Sequence, residues 1–222
     1  MAAQECSTFY FYSERRLVEL TGEKARNLTE LLYVLRFIDG AAIFYHTHHS
    51  FLDHHTVTPD FRSDFAVWTR DEIRDQMLAE KLGGIDPMEY PSIRQLREAI
   101  LEILGEHIEQ YGDPRQARPG NEFYFCRSKS FVLPTGRVAK NLQEFLSHMK
   151  KISSRSLFYH FFEAPLRLER RTNDFSIWLG DSVGMESLAR HIEKLDPYVL
   201  TLEQLRNKIV GLLEAEIAGG KK

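Results

Sequence analysis

The feature that most limits how this chain can fold is that it is written twice. FYFYSERRLVELTGEKARNLTELL, starting at Phe9, and FYFCRSKSFVLPTGRVAKNLQEFL, starting at Phe123, align without a gap as far as FYH, so that His46 falls on His160. Fifteen of those 38 positions are identical. After a small shift of register, DFAVW (64–68) matches DFSIW (174–178) and LAEKLGGIDP (78–87) matches LARHIEKLDP (188–197). SIRQLREAI (92–100) then matches TLEQLRNKI (201–209). The segments recur in the same order across nearly all of the 222 residues. Repetition on this scale signals one supersecondary unit used twice. The expected organisation is a first repeat over 1–111, a linker over 112–121 that is rich in Pro, Gly and Arg, and a second repeat over 122–222.

Within each copy the apolar pattern has a helical period. Leu28, Leu31, Leu32, Leu35 and Ile38 form one stripe, and Leu142, Phe145, Leu146, Met149 and Ile152 its twin. Asn27 and Asn141 stand as N-caps with Glu30 and Glu144 three residues on, a capping-box spacing. A second helix carries FYH. A third is expected to start with Asp64 or Asp174 as its N-cap, and LGDSVGM interrupts it in the second copy. A fourth starts at Ser92 or Thr201, each with Gln three residues later. Thr21–Gly22 and Thr135–Gly136 read as turns that end a short aromatic lead-in. The expected fold is therefore mainly α. It comprises two tandem pseudo-symmetric four-helix repeats, each with a short extended or hairpin lead-in.

The run from the TG dipeptide to FYH, followed by DFxxW and LAxxI, resembles an uncharacterised prokaryotic domain-of-unknown-function family. The second copy, with NDFSIW and LARHI, is closer to the general pattern. The resemblance covers most of both copies. It implies a helical module and no activity, ligand or catalytic residue.

FYHTHHSFLDHH (44–55) holds five of the nine histidines. On a helix His46, His49 and Asp53 share a face, and His160 with Glu163 repeats the spacing in the second copy. If the two FYH helices packed together, these five residues would offer N and O donors suited to zinc, iron or manganese. The competing reading keeps His46 and His160, the only histidine position common to both copies, as buried framework groups bonded to backbone. His48, His54 and His55 have no counterparts and read as a solvated face. The spacing departs from the HxHxDH pattern of metallo-β-lactamase-like hydrolases, because Asp53 lies five residues beyond His48. No GxGxxG, Walker loop, GxSxG or HExxH occurs.

Charge narrows the partners. The net charge is −3, but residues 1–112 hold 11 Lys/Arg against 19 Asp/Glu, whereas residues 113–222 hold 18 against 13. An acidic first repeat beside a basic second one suits self-association or a protein partner. The basic groups are local patches, so nucleic acid is not expected. Nor is a membrane, because no apolar run is long enough to span one. Cys6 and Cys126 lack metal-ligand spacing and read as reduced thiols of a cytoplasmic protein. The functional expectation is a non-enzymatic binding, scaffold or regulatory protein that requires no cofactor. The alternative is a His/Glu-ligated metalloprotein with hydrolase or oxidase activity.

Overall fold

The computed structural model describes residues 7–48, 61, 63–164, 172–196 and 200–219. Two long strands and ten helices account for most of them. β1 (Phe9–Ala25) and β2 (Phe123–Ala139) each run 17 residues and pair with one another as an antiparallel two-stranded sheet. The first repeat then supplies α1 (Leu28–Phe37), α2 (Gly40–His48), α3 (Asp64–Trp68), α4 (Gln76–Gly83) and α5 (Ile93–Tyr111). The second supplies α6 (Leu142–Met149), α7 (Ser154–Phe158), α8 (Asp174–Asp181), α9 (Glu186–Glu193) and α10 (Leu202–Gly219). Two wider turns of π type follow α3 at Thr69–Ile73 and α7 at Tyr159–Glu163.

This corrects the four-helix repeats with short lead-ins expected from the sequence, because each repeat supplies five helices and a long strand. The chain is mainly α, but the lead-ins are long paired strands that make it an α/β fold. The dipeptides expected to end them lie inside the strands. Gly22 and Gly136 adopt φ of +89° and +73° within unbroken strands. A residue of that conformation bends a strand without reversing it, which is how a bulge works. Thr21 helps to keep the strand in place, because its hydroxyl donates to the Phe125 carbonyl (2.9 Å).

The residues cluster into two compact units. One, the second-repeat unit, gathers the described residues up to Arg15 and those from Phe131 onward. The other, the first-repeat unit, gathers those from Arg16 to Ser130. Each unit thus takes its helices from one repeat and the FYF stretch from the other. In the first-repeat unit, Phe123 and Phe125 join a core with Ala25, Leu28, Leu31, Leu35, Phe65 and Trp68. In the second-repeat unit, Phe9 lies 5.2 Å from Phe145 and 5.7 Å from Trp178, and Phe11 lies 5.4 Å from Phe145. These strand phenylalanines are 0–7% exposed, so each unit is closed by side chains from the other repeat.

Local signals set the helix starts. Asn27 accepts from the Glu30 N–H (2.8 Å) and Asn141 from the Glu144 N–H (2.9 Å). The glutamates reach back to the backbone N–H of Arg26 and Lys140, each at 2.8 Å. The reciprocal arrangement satisfies two helix-end donors at once. Thr201 and Gln204 form the same box at α10. α3 and α8 depart from expectation by one residue. Their N-caps are Ser63 and Asn173, so the carboxylates of Asp64 and Asp174 serve another role.

Candidate functional site

That role is to hold the FYH histidines. In the first-repeat unit His46 Nδ1–H donates to Asp64 Oδ2 (2.8 Å), and Nε2 accepts from the backbone N–H of Cys126 on β2 (2.9 Å). In the second-repeat unit His160 Nδ1–H donates to Asp174 Oδ2 (2.9 Å), and Nε2 accepts from the Tyr12 N–H on β1 (2.8 Å). A carboxylate accepts only, so it fixes the proton on Nδ1 and leaves the Nε2 lone pair for the strand. Both rings are buried, His46 at 6% and His160 at 2% exposure.

The other repeated motifs act on the same strands and on the residues just before them. Trp68 Nε1–H donates to the Asn121 carbonyl (2.9 Å), and Trp178 Nε1–H to the Ser7 carbonyl (2.6 Å). Thr135 donates to the Phe11 carbonyl (2.6 Å), as Thr21 does to Phe125. FYF, TG, FYH and DFxxW therefore form one device per unit. The phenylalanines fill the core while histidine and threonine bond the strand backbone around them and tryptophan bonds the backbone two residues before each strand. The second-repeat unit adds the Ser156 hydroxyl, which donates to the Tyr12 carbonyl (2.5 Å).

The sequence-derived metal set is distributed as follows. His46 and His160 lie in different units, and both ring nitrogens of each are occupied as described. Glu163 sits in the turn that carries His160 and is 4% exposed. His49 and Asp53 lie outside the described residues, as do His54, His55 and Cys6. Among the described residues, no three His, Cys, Asp or Glu side chains converge where they could hold a metal ion. His48, expected on a solvated face, is instead fully buried and stacks on Phe44 at 4.7 Å. Its Nδ1 meets the Thr47 hydroxyl (2.7 Å), and burial, aided by the Arg16 charge, pushes the imidazole down to about 3. Cys126 is a free, partly buried thiol, pushed up mainly by burial.

A shallow depression of about 430 Å³ opens beside His46, lined by Asp64, Trp68, Asp71, Glu72 and Glu122 among others. Most of its acidic groups are engaged. Asp71 pairs with Arg70 (2.6 Å), and Glu72 accepts from Asn121 (2.9 Å). Backbone hydrogen bonding, together with Lys24 and Tyr124, holds the Glu122 carboxyl down to about 2. The sequence reading missed Asp64 and Asp174 because it assigned them to capping. Their distance from the FYH motif, 18 and 14 residues, gave no local signal.

The model of a family of unknown function, DUF5752, matches residues 6–214. No curated protein matches the chain. Among solved structures, OrfY from Thermoproteus tenax is similar, with 32% identity over 96% of this chain and 97% of that one, and a TM-score of 0.84.

Proposed function

The chain belongs to the family of unknown function DUF5752, and on that premise we propose that it is a non-catalytic binding protein, a scaffold whose paired strands receive a protein partner. The observation that carries this reading is the occupation of His46 and His160. The one histidine position common to both repeats spends one ring nitrogen on a strand N–H and the other on a helix carboxylate. Metal ligation there would have to displace a carboxylate or a strand N–H.

What the strands leave open supports the partner. Leu17, Leu20 and Phe131 are 50%, 72% and 48% exposed, and Leu133 is 41% exposed. In the described residues the sheet has two strands, so each strand keeps one unpaired edge. Apolar side chains beside open strand edges are the features that partner strands and apolar surfaces use. The charge imbalance between the repeats favours a second copy of the chain as that partner.

Light scattering on the purified chain across ionic strength tests this. The expected result is a dimer at low salt whose dissociation constant rises with salt. A strict monomer at low salt contradicts self-association.

A further inference from the structure

The first-repeat unit contains a polar constellation that its twin lacks. A cavity of about 440 Å³ opens between the turn after α3, the start of α4 and the end of α5, and residues 112–115 complete its wall. His107 lines it at 1% exposure and donates from Nε2–H to Asp75 Oδ2 (3.0 Å). With the proton held on Nε2, the other nitrogen, Nδ1, is a buried acceptor with no hydrogen-bond partner among the described residues. Asp75 is fully engaged. Its second oxygen caps α4 by accepting from the Leu78 N–H (3.0 Å), and Arg115 lies 3.7 Å away. Asp113, also in the wall, is held by the N–H groups of Leu28 (3.3 Å) and Thr29 (2.8 Å).

The carboxylates of the wall are therefore satisfied, while its guanidinium groups keep free donors. Arg115 uses Nη1 on the carbonyls of Ile73 and Arg74, leaving Nε and Nη2 without an acceptor among the described residues. Arg74 is the one non-glycine residue with positive φ in the described chain, at 57°. It follows directly on a π-type turn. Both features are uncommon and concentrate at functional positions.

The second repeat is an internal control. It builds the matching helices with Met185 at the position of Asp75 and Glu216 at that of His107. The framework thus forms without the Asp–His pair, so the pair is not a requirement of the fold. We infer that this cavity binds a small organic anion, its carboxylate or phosphate on the free donors of Arg115 and Arg74 and its carbon skeleton against Leu28, Met77 and Tyr111. His107, bonded through Nε2 to Asp75, holds in place the wall on which Arg115 sits. An aligned guanidinium fork favours such anions, and the apolar wall favours an organic one over a bare ion. The inference does not rest on the partner reading above.

Calorimetric titration of the full chain with L-malate and, separately, inorganic phosphate tests it. Saturable malate binding is expected, about tenfold tighter than phosphate. Arg115→Gln, at a half-exposed side chain, is expected to weaken malate about tenfold with an unchanged circular dichroism spectrum. Glu216→Gln, at the matching position of the other repeat, is expected to change nothing. No saturable binding, equal affinity for the two anions, or malate binding indifferent to Arg115→Gln would overturn the inference.

Discussion

Burying His48 has a consequence for acid stability. The ordinary imidazole titrates near 6.5, and in the folded chain burial moves His48 to about 3. Between those values the unfolded chain binds a proton that the folded chain refuses. The contribution is therefore fully present above about pH 6.5 and is lost as pH falls toward about 3. The slope is on the order of 1 kcal/mol per pH unit across that window. Denaturant titrations at stepped pH are expected to show wild type losing more stability over this range than His48→Phe, which keeps the stack on Phe44 and cannot titrate. Helical spacing and the absence of a counterpart in the second repeat point to a solvated face for His48. Neither reports burial, because a copy-specific residue can be packed locally. His46 was legible as framework from its identity with His160. Its carboxylate partner was not, since Ser63 and Asp64 are both good cap residues and only geometry decides between them.

At the scale of elements, the long strands depend on two glycines. A Cβ added at Gly22 or Gly136 would meet nothing within 4 Å, so any cost of substitution is conformational rather than steric. Gly22→Ala and Gly136→Ala are expected to destabilise by about 1–2 kcal/mol each, the cost of forcing an L-residue to positive φ. Asparagine at either site should cost less than alanine. Chemical denaturation checks both, and an alanine variant as stable as wild type would show that the strand does not need that bend. Most helices were legible because their apolar stripes, capping boxes and the break at LGDSVGM are local signals, but the matching break at Arg74 in the first repeat gave none, and it makes five helices where four were expected. The strands were not. Only FYF alternates cleanly between buried and exposed, and from Arg16 to Lys24 β1 has no buried residue. A half-solvated stretch interrupted by Thr-Gly reads as a lead-in and turn, because its pairing partner is more than a hundred residues away.

At the scale of the whole molecule, each repeat completes the core of the unit formed by the other. A fragment of residues 1–111 has the helices of the first-repeat unit but lacks Phe123, Phe125 and the Cys126 N–H that His46 accepts. It does carry its own FYF strand, which a second copy of the fragment could receive in the same manner. Isolated repeats are therefore expected to be unfolded as monomers or to fold as homodimers, and the two fragments mixed should form a one-to-one complex. Light scattering and cooperative unfolding distinguish these states, and a folded monomeric fragment would contradict strand exchange. The exchange was not legible in the sequence, because similarity between the two halves does not show which half's strand enters which core.

The FYH histidines are what tie the helices of each unit to its strands. Nitrogen NMR of the labelled imidazoles, recorded above neutral pH with and without added zinc, tests this most directly. His46 and His160 are both expected to carry their proton on Nδ1, to accept a hydrogen bond at Nε2 from the Cys126 and Tyr12 amides, and to be unchanged by zinc. A proton on Nε2, or zinc-dependent shifts at both rings, would contradict it.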